Sequence, residues 1–189
     1  LANNNCFKNS SISYINFKNL KDTSIGSYFF DNCTNLTYIS IESKSKIKLS
    51  DYCFARAANI ETISLISPQV DIGSFCFQNC SKLYSLSIYD KYQYSGSKCD
   101  AKNVKIGSNA FSGCDSLRSL EVAASEKLTL GDFCFSGANN LESMKFKGKN
   151  FHFGSSIFDS CPSIKTVQIP WSFDLKFYPF PPNITVKKG

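Results

Sequence analysis

The sequence predicts an α/β solenoid of about seven stacked rungs. Three observations predict it. A phenylalanine recurs every 23 or 24 residues, with one interval of 34. An apolar Leu-x-x-Ile-x-Ile segment follows each of these anchors, and a shorter alternating segment precedes most of them. A fixed period in the twenties indicates units that bury their apolar sides against their neighbours. The anchors are Phe7, Phe30, Phe54, Phe77, Phe111, Phe135 and Phe158.

The segment after each anchor predicts the strands of a parallel main sheet. Its apolar residues alternate with polar ones, which is typical of a strand with one face inward. Strands repeated at this period stack in parallel, about 4.8 Å apart. The copies are Ile12/Ile15/Phe17, Leu36/Ile39/Ile41, Ile60/Ile63/Leu65, Leu83/Leu86/Ile88, Leu117/Leu120/Val122, Leu141/Met144/Phe146 and Ile164/Val167/Ile169.

A second, shorter strand per rung is predicted just before the anchor. The same period-two alternation marks it, and a glycine or serine usually ends it. The pairs are Ile47/Leu49, Val70/Ile72, Val104/Ile106, Leu128/Leu130 and Phe151/Phe153.

Between the second strand and the next main strand, the pattern predicts a one-turn helix or 3-10 turn. Serine or aspartate precedes most anchors by three residues, as expected of an N-cap. Asparagine or glycine usually follows the anchor by two residues and tolerates the left-handed conformation that ends helices. The N-cap candidates are Ser27, Asp51, Ser74, Ser108, Asp132 and Ser155, and the candidate ends are Asn9, Asn32, Asn79, Gly113 and Gly137, with Arg56 and Ser160 as exceptions.

The complete motif is similar to a known family. Residues 72–88 read Ile-Gly-Ser-Phe-Cys-Phe-Gln-Asn-Cys-Ser-Lys-Leu-Tyr-Ser-Leu-Ser-Ile. The Leu-x-x-Ile-x-Ile spacing is that of leucine-rich repeats, and the Phe/Cys segment in place of an asparagine ladder resembles the BspA-like subclass. The resemblance covers roughly residues 1–170. It implies an adhesion-type protein, on the surface of or secreted by bacteria or parasitic protists.

The period also predicts the domain organisation. We expect one solenoid over residues 1–189, with repeats over 1–170, an insertion loop over about 89–103 and a C-terminal cap over about 170–189. Trp171, Phe173, Phe177 and Phe180 are the residues expected to cover the last rung, where prolines discourage further pairing. The stub of a repeat at Leu1 to Cys6 predicts that the chain is a piece of a longer protein.

The nine cysteines fall mostly into two columns. One column directly precedes the anchor, and the other lies three residues after it, where Ala57 and Ala138 stand in two copies. Cysteine alternating with alanine is typical of a small buried slot filled by a free thiol. Disulfides and metal binding stay open as alternatives, and Cys99 belongs to neither column.

The remaining composition favours neither an enzyme nor a nucleic-acid-binding protein. The net charge is +6, but the lysines are dispersed and only two arginines occur, unlike a basic groove. His152 is the only histidine, so no metal site or catalytic triad can be placed around it. No apolar run is long enough to span a membrane. We therefore expect no catalytic residues, no metal and no cofactor.

The predicted function is non-enzymatic protein binding at the cell surface or after secretion. Tyrosine offers rigid contact area with a polar end, so exposed tyrosines are the candidate binding residues. They are Tyr14, Tyr38, Tyr84, Tyr89, Tyr92 and Tyr94. The partner would be a host or extracellular-matrix protein, and homo-oligomerisation is a further option. An intracellular scaffold in the cytoplasm and a structural spacer are the alternatives. Sequons at Asn9, Asn32, Asn35, Asn79 and Asn183 favour secretion only slightly, because three coincide with the turn pattern.

Overall fold

The computed structural model describes residues 3–90, 100–174 and 180–189. Ten strands form one sheet, and every described pairing is parallel. The parallel-sheet solenoid predicted from the period is therefore confirmed. The strands are β1 Tyr14–Ile25, β2 Tyr38–Leu49, β3 Thr62–Ile66, β4 Gln69–Ile72, β5 Ser85–Tyr89, β6 Ala101–Ile106, β7 Ser119–Leu130, β8 Ser143–Phe153, β9 Thr166–Ile169 and β10 Thr185–Lys188.

Main and second strands form two ladders along the solenoid. The main ladder begins with Tyr14 opposite Tyr38 and continues with Tyr38 opposite Thr62. The second ladder runs through β1, β2, β4, β6, β7 and β8. In β1, β2, β7 and β8 the two strands of a turn continue as one. About six turns carry both strands in the described residues, so the predicted seventh complete rung is not confirmed.

The segments around the anchors are stacked turns, and the described residues contain no helix. Each segment carries two residues with left-handed φ, such as Tyr28 at 56° and Asn32 at 57°. A right-handed helix cannot accommodate them. The intervening N–H groups donate to the next turn of the solenoid, as Phe30 N does to Cys53 O at 2.8 Å. The predicted one-turn helices are therefore not present, although the predicted left-handed positions are confirmed, including Arg56 at 59°.

Two of the predicted N-cap residues, Asp51 and Asp132, form hydrogen bonds between turns of the solenoid. The Oδ1 atom of Asp51 accepts a hydrogen bond from the backbone N–H of Ser74 at 2.8 Å, one turn further along. Asp132 does the same for Ser155 at 2.7 Å. In the absence of a helix there is no local N-terminus to cap, so these carboxylates instead join neighbouring turns.

The anchor phenylalanines form a continuous stack through the core. Ring centroids are 5.1 Å apart for Phe30 and Phe54, 5.2 Å for Phe54 and Phe77, and 5.3 Å for Phe77 and Phe111. The last distance spans the long sequence interval, so the inserted residues do not interrupt the stack. Phe7 is the exception to the predicted burial, because it lies at the open end with 43% of its surface exposed.

A second aromatic stack, on the outside of the turns, was not predicted. Tyr28, Tyr52 and Phe75 each precede an anchor by two residues and are half-buried. Neighbouring ring centroids are 4.8 Å apart and the rings are nearly parallel, with 4° between their planes at each step. These are the left-handed positions, and the repeated backbone conformation brings their side chains into register.

Apart from Cys6, the cysteine columns are buried in the described residues, as predicted for structural thiols. All eight described cysteines are free, and only Cys6 is exposed. In the column after the anchor, each thiol donates to the carbonyl oxygen of the preceding turn's anchor. Cys114 donates to Phe77 O at 3.3 Å and Cys161 to Phe135 O at 3.0 Å. Cys99 lies outside the described residues.

Native alkylation should separate Cys6 from the buried thiols. Burial raises the pKa of Cys161 to about 11 and holds the pKa of Cys80 well above its usual value. The thiolate is the reactive form, so these cysteines present neither a nucleophile nor access at pH 8. We expect iodoacetamide to label Cys6 within minutes and the seven buried thiols only after unfolding, as read by peptide mass spectrometry. Fast labelling of Cys80 in the native protein would contradict the packed core.

The C-terminal end differs in part from the predicted cap. Phe173 and Phe180 are buried against the last turns, with Phe180 at 5.9 Å from the Phe158 ring. Trp171, in contrast, is 74% exposed and covers nothing. Beyond the prolines, β10 adds a further parallel strand to β9, which the sequence did not predict. Phe177 lies outside the described residues.

Candidate binding surface

The outer face of the main sheet is a regular surface that runs along the solenoid. Because side chains alternate along a strand, the residues between the buried ones point outward in columns. The first column is Tyr14, Tyr38, Thr62 and Ser85, and continues on the later turns as Ser119, Ser143, Thr166 and Thr185. This face is therefore aromatic at one end and small and hydroxylated in the middle.

Three of the predicted tyrosines are exposed on or beside this face. Tyr14 is 68% exposed and Tyr84 is 55% exposed, and Tyr38 lies opposite Tyr14 on the adjacent strand. Tyr89 differs from the prediction, because only 5% of its surface is exposed at the end of β5. Tyr92 and Tyr94 lie outside the described residues.

The later turns of the same face carry charge. Glu121 of β7 pairs with two lysines of β8, with its Oε1 atom 2.5 Å from Lys147 Nζ and its Oε2 atom 3.8 Å from Lys145 Nζ. Beside these residues a shallow groove of about 350 Å³ extends to Gln168 and Lys187. The face therefore offers tyrosine hydroxyls at one end and lysine ammonium groups at the other.

The main ladder is interrupted between β5 and β7. Among the described residues no strand pairing joins β5 and β7, although the two strands belong to consecutive turns. At equivalent steps the first strand residue donates to the preceding turn, as Thr62 N does to Thr37 O and Ser143 N to Arg118 O. The corresponding bond from Ser119 N to Tyr84 O is missing among the described contacts.

The interruption is confined to the main sheet. In the turns that precede β5 and β7, Ser116 N donates to Ser81 O at 3.0 Å. Beyond the main strand, Ala101 of β6 pairs with Ala124 of β7. A cleft of about 360 Å³ lies between these two closed ends. Its lining includes Tyr84, Ser85, Leu86, Ser119, Leu120, Glu121 and Lys147.

Sequence reasoning located this site only indirectly. The long interval between Phe77 and Phe111 marked the turn where the period breaks, and a protruding loop was predicted there. The missing pairing between β5 and β7 could not be predicted, because the repeat period does not show how an insertion changes strand pairing. Residues 91–99, which make up most of that loop, lie outside the described part of the chain.

The described residues offer no arrangement for metal or membrane chemistry. No group of three histidine, cysteine, aspartate or glutamate side chains converges within residues 3–90, 100–174 and 180–189. Over the same residues, no helix has the length and apolar character needed to cross a bilayer.

Parallel main strands, stacked turns and the Leu-x-x-Ile-x-Ile spacing define a leucine-rich-repeat solenoid. The family model of the BspA type leucine rich repeat region matches residues 2–103 and 98–180, with 6 copies. The chain therefore belongs to the BspA type leucine-rich-repeat family. This is a family of repeat proteins and not a known class of enzyme.

A solved structure shares the fold. A leucine-rich repeat protein from Bacteroides ovatus superposes with a TM-score of 0.72 at 19% sequence identity, over 98% of this chain. This chain spans 44% of that protein's length. A leucine rich cell surface protein from Faecalibacterium prausnitzii gives a TM-score of 0.30 at 14% identity, over 89% of this chain and 79% of its own, which is too low to indicate a shared arrangement. No curated protein matches the sequence.

Proposed function

We propose that this chain is a non-enzymatic protein-binding domain of a cell-surface or secreted protein, and that the outer face of the main sheet contacts the partner. The observation that carries the proposal is the exposure of Tyr14, Tyr38 and Tyr84 on or beside one regular face. Tyrosines are enriched where proteins bind one another, because they bury rigid area at little entropic cost. The lysines at the other end favour a partner with an acidic patch there.

The size of the face limits how the partner binds. Eight main strands at about 4.8 Å and five residues at about 3.3 Å span roughly 34 by 17 Å. That footprint is below the roughly 800 Å² per partner of a standard interface. The partner is therefore expected to extend past the sheet onto the neighbouring turns, or to bind with modest affinity.

Alanine substitution of the tyrosines tests the face. We expect the Tyr14→Ala/Tyr38→Ala/Tyr84→Ala variant to lose at least about tenfold in affinity for cells or matrix proteins that bind the wild-type domain, because aromatic side chains dominate such interfaces. Binding is measured by biolayer interferometry with the purified domain. Phe133→Ala/Trp171→Ala is the matched control, since it removes exposed aromatics from other surfaces. Equal binding by the tyrosine variant and the wild type would refute the proposal that this face contacts the partner.

Localisation has its own test. The asparagines of all five sequons are exposed. Mass spectrometry of the protein from its native source should find glycan at Asn35 or Asn183, which lie outside the left-handed turn positions. Bare asparagines would instead favour a cytoplasmic scaffold, an alternative supported by the eight free thiols.

A further inference from the structure

The outer face of the second ladder brings together lysines that lie far apart in the sequence. Because side chains alternate along a strand, two residues of each second strand point outward, and the parallel register aligns them in two columns. One column is Asp22, Lys46, Gln69, Asn103, Lys127 and Asn150, and the other is Ser24, Lys48, Asp71, Lys105, Thr129 and His152. We call these twelve residues the lysine face, because four of them are lysines and only two are acidic.

Both aspartates of the lysine face are engaged within the protein. The Oδ2 atom of Asp71 lies 2.6 Å from Nζ of Lys46, on the preceding turn. Asp22 lies on β1, at one end of the face, and its Oδ1 atom accepts a hydrogen bond from Ser45 Oγ. Asp71 therefore neutralises one of the four lysines, and the other three keep their full charge.

Lys48, Lys105 and Lys127 are exposed and form no ion pair within the described residues. The corner beside the face adds three more exposed lysines, which are Lys44, Lys102 and Lys149. Glu126 is the acidic residue closest to them in the sequence, and it accepts a hydrogen bond from Asn103 Nδ2 at 3.3 Å. This side of the solenoid therefore has an excess of positive charge.

The three unpaired lysines form a line across four neighbouring turns. Strands lie about 4.8 Å apart and alternate residues of a strand about 6.6 Å apart, so the Cα atoms of Lys48 and Lys105 are separated by roughly 10 Å and those of Lys105 and Lys127 by roughly 8 Å. Uncharged polar side chains lie beside them, namely Gln69, Asn103 and Thr129. A rigid row of this kind fits a linear ligand that carries anionic groups at intervals and hydroxyl groups between them.

We propose that the lysine face binds a linear sulfated polysaccharide, whose sulfate and carboxylate groups contact Lys48, Lys105 and Lys127. A fixed excess of positive charge attracts polyanions and raises their rate of association. The sugar hydroxyls can form hydrogen bonds with the amide and hydroxyl side chains between the lysines. This is a second binding activity, on a surface separate from the tyrosines of the main sheet, and it does not depend on the sheet-face proposal.

The side chains of the lysine face favour a polysaccharide over other common polyanions. Single-stranded nucleic acids bind where bases stack on aromatic side chains, and none of the twelve residues is Phe, Tyr or Trp. Bidentate phosphate recognition favours arginine, which the face also lacks. Protein segments that lie on membranes insert apolar side chains beside their lysines, and no residue of this face is apolar.

Substitution of the three unpaired lysines tests the site. The probe is a fluorescein-labelled heparin octasaccharide, titrated at about 150 mM salt and followed by fluorescence anisotropy. We expect Lys48→Gln/Lys105→Gln/Lys127→Gln to bind at least about tenfold more weakly, and its affinity to fall less steeply with salt, because fewer counterions are released.

The matched control removes the same charge from exposed lysines outside the second ladder, as Lys82→Gln/Lys165→Gln/Lys188→Gln. We expect this variant to bind the probe within about twofold of the wild type, because contacts and not net charge hold the ligand. An equal loss of affinity in the two triple variants would refute a site on the lysine face.

Asp71→Asn should have the opposite effect on binding. The substitution removes the carboxylate that lies between Lys48 and Lys105 and releases Lys46, so we expect the probe to bind about threefold to fivefold more tightly. The pair of Asp71 and Lys46 is partly exposed and contributes little to folding, so the variant should remain folded. Unchanged or weaker binding would contradict the arrangement.

Competition identifies the class of ligand. We expect unlabelled octasaccharide to displace the probe at least about tenfold better than its desulfated form, a single-stranded oligodeoxynucleotide or vesicles of phosphatidylserine and phosphatidylcholine. Equal displacement by any of the three would overturn the assignment to a sulfated polysaccharide. Tyr14→Ala/Tyr38→Ala/Tyr84→Ala should bind the probe normally, so the two binding proposals can fail separately.

Discussion

Replacing Phe77 by alanine is expected to lower the free energy of unfolding by about 3–5 kcal/mol. Phe77 is fully buried in the middle of the core, with the Phe54 ring on one side and the Phe111 ring on the other. Truncation removes both ring contacts and leaves a cavity between turns that are held at fixed separation by main-chain hydrogen bonds. The core therefore cannot collapse to fill it.

Urea unfolding followed by far-ultraviolet circular dichroism measures the effect. Phe7→Ala is the matched control, because Phe7 belongs to the same stack but contacts Phe30 on one face only and is largely exposed. We expect a loss of about 1 kcal/mol there. If the two variants were equally destabilised, the stack would not be the continuous core of the solenoid.

The second large effect is expected at a buried carboxylate. Asp31 follows an anchor directly and is fully buried. Its Oδ2 atom lies 2.5 Å from Arg56 NH2 and 3.4 Å from Lys8 Nζ. Its Oδ1 atom has no hydrogen-bond partner among the described residues. The charge is therefore compensated mainly by one arginine from the following turn.

Arg56→Met should destabilise the protein by about 3 kcal/mol, since removing one partner leaves a buried charge poorly compensated. Lys8→Met should cost less than about 1 kcal/mol, because the contact is longer and the lysine more exposed. Thermal unfolding in a double-mutant cycle checks the reason. We expect the Arg56→Met/Asp31→Asn variant to be more stable than Arg56→Met alone, because the asparagine removes the uncompensated charge. If the double variant is no better, the loss comes from arginine packing.

The repeated features of this protein could be predicted from the sequence. The anchors, the Leu-x-x-Ile-x-Ile strands and the second strands were all located correctly, because a fixed period places equivalent residues above one another. The same argument identified the cysteine column of Cys80 and Cys114 as buried, since alanine occupies it in other turns. Tyr14 and Tyr38 were placed on the outer face by simple alternation.

Prediction failed where the backbone, and not the side chain, sets the outcome. The segments around the anchors have the caps of short helices, but left-handed residues at both Tyr28 and Asn32 convert them to stacked turns. The N–H groups then find partners in the next turn, and so does the side chain of Asp51. The local sequence cannot distinguish a helix cap from a hydrogen bond between turns. A serine or aspartate oxygen can accept from an N–H group of its own segment or of the neighbouring turn.

The sequence by itself determined the period, the composition of the core and the outward columns, because these depend only on which residues recur at fixed spacing. Only the tertiary structure decided what happens at non-equivalent positions. The ion pair of Asp31 and Arg56 joins two positions that are not equivalent in the repeat. Comparison of equivalent residues therefore does not reveal it. The missing pairing between β5 and β7 lies at the one turn whose sequence interval is 34 residues and not 23 or 24. Hydrogen-bond partners between turns depend on the position of the neighbouring backbone, which periodicity does not encode.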